Sequence, residues 1–124
     1  MRPLTLETVA RAGFWLCVLI ILYLSLVPGD LRPHTGASGH FEHFLAYAGT
    51  AFLFAPGSGL RARLGAAVGL ATLSALVELA QLNIPGRTGE FGGFFFSTLG
   101  AWLGLIAGAV AWSIWLRVQP GREA

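Results

Sequence analysis

Two groups of residues carry side chains that could do chemistry: His34, His40, Glu42, His43 and Tyr47 in one stretch, and Glu78, Gln81 and Arg87 in another. An imidazole beside a carboxylate suits acid–base work or cation binding, and a guanidinium suits an anion. His40 and His43 are spaced i, i+3 with Glu42 between them, a pattern able to ligate Zn²⁺. No Cys lies nearby, however, and the longer His-Glu-x-x-His pattern is absent, so no metal site and no cofactor are expected. No nucleophile stands out. The serines have no motif around them, Cys17 sits within an apolar run where a thiol is unreactive, and Gly57-Ser58-Gly59 is a plain turn rather than a phosphate loop. No catalytic residue is assigned. The residue types support ligand binding by His40, His43, Tyr47, Glu78, Gln81 and Arg87, or a structural role in which the same side chains only hold helices together. Ionisable groups on an interior helix face tilt the balance toward function.

The elements that must position these residues are hydrophobic. Of 124 residues, 55% are hydrophobic and only 11% charged, with a mean hydropathy of +0.68. This argues against a water-soluble enzyme, a disordered tail or a disulfide scaffold, and for a single all-α membrane domain. The eight basic residues are all Arg and are scattered singly, so no nucleic-acid surface is expected. A spanning helix needs about 20 mostly apolar residues. Four spans fit, over about 12–28, 40–56, 63–82 and 93–116, separated by Pro28-Gly29-Asp30, Pro56-Gly57-Ser58-Gly59 and Asn83-Ile84-Pro85-Gly86. Arg2 and Arg11 ahead of the first run resemble a signal peptide, but no small-x-small cleavage site follows it, so the run is expected to persist as a span.

Arginine bias sets the orientation. Arg2, Arg11, Arg61, Arg63, Arg117 and Arg122 fall at one end, and Arg32 and Arg87 at the other. Both termini are therefore expected to be cytoplasmic, which places the polar groups toward the outer leaflet. Membrane lipids are the immediate partners of such a chain. Nothing in the sequence specifies an oligomeric state.

Small residues let membrane helices approach closely. In the last span Gly93, Ser97, Gly100, Gly104, Ala107 and Ala111 recur at four- and three-residue steps and predict a packing face. Ala67, Ala71, Ser74, Glu78 and Gln81 form a matching stripe in the third span, and His40, His43, Tyr47 and Thr50 share a side of the second. The three stripes are expected to converge. Arg87 follows the third span closely enough to fold back toward Glu78.

His43-Phe44 with Tyr47, then Glu78-x-x-Gln81, Pro85-Gly86-Arg87, Gly100 and Gly104 resemble the VanZ-like family of small bacterial membrane proteins, over residues 25–108. The resemblance implies a multi-pass protein of the bacterial inner membrane with a role at the cell envelope. The family is named for an accessory protein of teicoplanin resistance, and the activity of most members is unassigned. Two positions depart from its pattern. Gly39-His40 stands where members commonly have Asp-Lys, and Gly93 and Ser97 where they have Asp and Asn. A protonated His40 could supply part of the missing Lys function. The expected function is a binding or transport role, in which the outer-leaflet cluster recognises a polar envelope component such as the headgroup of a lipid-linked or cell-wall precursor, with Arg87 on an anionic group, Glu78 on an ammonium or hydroxyl, and His43 and Tyr47 beside them. The alternative is an accessory membrane module with no ligand of its own.

Overall fold

The computed structural model describes residues 4–31, 38–87 and 91–120. His34, Arg2, Arg32 and Arg122 lie outside the described residues. The chain is all-α: α1 (Leu6–Leu26), a short 3₁₀ turn (Gly29–Leu31), α2 (Gly39–Phe54), α3 (Leu60–Gln81) and α4 (Phe91–Val118).

Local chemistry sets the boundaries. Thr5 caps α1 by accepting from the Thr8 amide at 3.2 Å, so the helix starts well before residue 12. It stops because Val27, which precedes Pro28, is extended (φ −73°, ψ 152°). Ser38 caps α2 in the same way, through the Phe41 amide. Gly57 (φ 72°) makes the turn into α3, and Gly86 (φ 74°) the turn beyond it.

Three helices, α1, α3 and α4, are long and apolar enough to cross a membrane. α2 has 16 residues, or about 24 Å of helix against a hydrocarbon core of about 30 Å. It still joins both ends of the bundle. His43 near its start meets Glu78 near the end of α3, and Phe54 and Ala55 at its finish accept from Arg11 and Arg63. The helices therefore alternate in direction, with the ends of α1 and α3 beside the starts of α2 and α4.

The most extensive seam is α2 against α4. Cβ atoms built on Gly100, Gly104 and Gly108 would collide with the backbone of Phe44, Ala48 and Phe52 respectively. Four-residue steps on both helices thus lock in register, and only glycine permits this backbone-to-backbone contact. The stripe expected from the sequence deviates past Gly104. Ala107 and Ala111 are exposed, and Gly108 continues the seam instead, because a helix packed against one neighbour keeps its four-residue row in contact.

The interior is built from small and hydroxylated residues: Thr50, Ser74 and Ser97, each 1% exposed, with Ala51, Ala55 and Ala101. Trp15, Leu19, Leu76, Trp102 and Ile106 face outward. Lipid accepts those large apolar surfaces as readily as a core would, so close packing rather than apolar burial holds the helices together. A modest apolar cluster of Phe14, Ile21, Tyr47, Leu70 and Leu105 ties α1 to the other three.

Candidate functional site

The ends of α1 and α3 and the starts of α2 and α4 enclose a cavity of about 250 Å³. Ile20, Ile21, Leu24 and Ser25 of α1 line one side. The polar lining comes from Glu42, His43 and Tyr47 of α2, Ser74 and Glu78 of α3, Ser97 of α4, and Arg87 from the following loop.

Glu78 is the central group. It is 9% exposed, and its Oε1 lies 3.6 Å from His43 Nδ1. Its carboxylate occupies the volume that a side chain at position 93 would take, since a Cβ on Gly93 would strike Oε1. Gly93 is therefore a cradle for Glu78 as well as a packing residue. An Asp at that position could not coexist with this placement of Glu78. The carboxylate sits against the first turn of α4, where backbone amides lack intrahelical acceptors and favour negative charge. Tyr47, 4% exposed, and Ser74, 1% exposed, both line the cavity. Ser97 Oγ is buried in the cavity wall and has no hydrogen-bond partner among the described residues.

Arg87 folds back over the bundle. Its Nε donates to the Val27 carbonyl at 3.0 Å and its NH2 group to the Leu24 carbonyl. Gln81 Nε2 donates to the Ser25 carbonyl at 3.0 Å. These two side chains satisfy the last turn of α1, whose carbonyls have no intrahelical donors. The loops reinforce that joint: the Gly29 amide donates to the Pro85 carbonyl at 3.0 Å, and Gly29 and Gly86 pack backbone on backbone with no room for a Cβ at Gly29.

The structure thus gathers His43, Tyr47, Glu78, Arg87 and Ser97 around one cavity. Gln81 is committed to α1 and lies outside the lining. His40 is exposed, outside the lining as well, and stacked on Phe96 with ring centroids 5.0 Å apart and planes inclined by 13°. The sequence points to Glu42 only as part of the His40–His43 stretch, and to Ser74 and Ser97 only as packing residues. The i, i+4 relation of Ser74 to Glu78 was a usable signal. Nothing in the sequence marked the α1 wall. Among the described residues, no three His, Cys, Asp or Glu side chains converge as a metal centre requires.

Comparison with known proteins adds no relative: no family model, no curated protein and no solved structure matches the chain.

Proposed function

We propose that this chain is a VanZ-like multi-pass protein of the bacterial inner membrane, with both termini cytoplasmic, and that its cavity binds a polar cell-envelope component near the outer leaflet. One observation supports this reading above the others: a buried carboxylate, Glu78, lies in a cavity between helices instead of in solid packing. Carboxylates in membrane segments are costly, and one that faces an interior cavity marks a ligand or ion site by default. His43, Tyr47 and Ser97 surround it with further polar atoms.

The contacts of Arg87 and Gln81 favour the accessory reading for those two residues, because each bonds to the backbone of α1. We therefore assign them to holding the site and Glu78 with His43, Tyr47 and Ser97 to occupying it. Native mass spectrometry of the protein released from detergent tests the division. The wild type should retain one class of headgroup. Glu78→Gln should accumulate folded yet carry only bulk lipid. Bulk lipid on the wild type, or a Glu78→Gln protein that unfolds and is rescued by Arg87→Gln, would leave the accessory role standing.

Orientation is checked separately with single cysteines in a Cys17→Ser background. A membrane-impermeant maleimide applied from outside should label Ser38→Cys and spare Ser58→Cys. The opposite pattern would turn the cavity toward the cytoplasm.

A further inference from the structure

The end of the bundle away from the cavity is uneven. Gly108 meets the Phe52 backbone and Ala55 near the finish of α2, yet α4 runs on to Val118, about 15 Å farther. Trp102 Nε1 donates to the Ala67 carbonyl at 3.3 Å. From that contact α3 extends only about 10 Å toward its start at Leu60, whereas α4 extends about 24 Å. α1 reaches an intermediate height, since it starts about 10 Å beyond Gly13, which packs against the Leu53 side chain. No residue of 109–118 is buried.

The tall and short parts of this end have opposite chemistry. Val110, Ile114, Trp115 and Val118 are all exposed, and only Ser113 and Arg117 bring hydroxyl or charge to the segment. Such a surface belongs in hydrocarbon. Trp112 and Trp115, followed by Arg117, are the residue types that settle at the headgroup boundary. The joint between α2 and α3 is polar instead. Arg11 and Arg63 donate to the carbonyls where α2 finishes, and Arg61 is exposed in the first turn of α3. Glu7, Thr8 and Arg11 line a depression beside Pro56 and Gly57.

A flat leaflet cannot serve both parts. Level with Trp115, it would sink the joint about 10 Å below the headgroups. Level with the joint, it would leave the apolar end of α4 in water. A bilayer yields more readily than a packed bundle, and it thins beside a hydrophobic element too short to span it. α2, the shortest of the four helices, stands at this joint.

We propose that this end of the bundle is a lipid-shaping surface: headgroups stand level with Trp115 beside α4 and dip about 10 Å to meet the α2–α3 joint. The partner is the phosphate layer of one leaflet, which Arg11, Arg61 and Arg63 match in charge where Glu7 is the acid beside them. The dip does not depend on what the cavity binds.

Water access to single cysteines tests the dip, because a thiol in hydrocarbon does not form the reactive thiolate. The full-length chain, in a Cys17→Ser background, is placed in phospholipid nanodiscs, whose two faces are both open to a membrane-impermeant maleimide. Leu60→Cys, Val110→Cys and Ile114→Cys replace exposed side chains and leave the packing intact. Along the bundle axis Ile114 lies nearer the chain's last described residues than Leu60 does, so a flat leaflet wets it first. The dip reverses that order. Leu60→Cys should react about tenfold faster than Ile114→Cys, and Val110→Cys, near the height of Leu60 but on α4, should stay unreactive. A Leu60→Cys rate equal to or below that of Ile114→Cys, with both unreactive included, overturns the dip. Reaction of Val110→Cys as fast as Leu60→Cys overturns it as well, by placing the end of α4 in water.

Discussion

The two ends of the bundle solve one problem with the same device and then diverge. At the end where α2 finishes, Arg11 donates to the Phe54 carbonyl at 3.3 Å and to Ser58 Oγ at 2.6 Å, and its guanidinium lies 4.1 Å from the Phe54 ring centroid. Arg63 donates to the Ala55 carbonyl at 3.2 Å. At the opposite end Arg87 and Gln81 serve α1 in the same manner. Each helix that finishes at a packed joint leaves carbonyls with no donor, and lipid offers none, so side chains from a neighbouring element supply them. Arginine at a helix joint in this protein is therefore a structural mark at both ends. The difference lies in the acids. Glu7, at the α2 finish, is exposed at the start of α1, whereas Glu78 is buried in a cavity that His43, Tyr47, Ser74 and Ser97 also line. A buried acid, and not a basic residue, distinguishes the two ends.

The sharpest way to break the comparison is to damage what both ends share. α2 carries His43 and Tyr47 to one end and Phe54 to the other, and it is held to α4 along the glycine seam. Gly104→Leu drives a side chain into the Ala48 backbone and should cost about 3 kcal/mol, the upper part of the range for overpacking. Thermal unfolding in detergent should show both ends loosening together. An unchanged melting temperature would mean the seam does not hold the bundle.

Next in size are the two capping arginines. Arg11→Gln and Arg87→Gln should each cost about 1–2 kcal/mol, within the range for losing charged hydrogen bonds to carbonyls. A matched loss supports one device at two ends. A large loss for Arg11→Gln with none for Arg87→Gln would show that Arg87 serves the cavity instead of α1.

The smallest effects come from adjacent glycines. Gly93→Ala pushes against the Glu78 carboxylate, whereas at Gly92 the new methyl meets only the ring of exposed His40. Gly93→Ala should therefore cost about 1 kcal/mol and weaken lipid retention, and Gly92→Ala should stay within about 0.5 kcal/mol of wild type and retain lipid. Equal behaviour of the two would remove Gly93 from the site.

Much of this architecture is legible in the residues themselves. Apolar runs broken by Pro28, Pro56 and Pro85 define four helices, because chain length against bilayer thickness and the missing proline amide act locally. The recurrence of Gly100 and Gly104 marks a contact face before any partner is known, since a helix repeats its surface every three to four residues. Glu78 is singled out by type alone, because a carboxylate in an apolar helix must find company.

What the sequence leaves open are the relations between segments. It does not reveal that the partner of the glycine row is the backbone of Phe44, Ala48 and Phe52, nor that the row continues through Gly108 and abandons Ala107. Those depend on the crossing of two helices, which no local periodicity encodes. It also cannot tell which of the polar residues bond to the end of α1. Gln81 and Arg87 stand near Glu78 in the chain, yet they are drawn to the carbonyls where α1 ends, far away in sequence. Ser97 resembles its small neighbours until three other helices close a cavity around its hydroxyl. Side-chain type and helical phase are properties of a segment, whereas an unsatisfied carbonyl, a cavity wall and a cradle for a carboxylate exist only where segments meet.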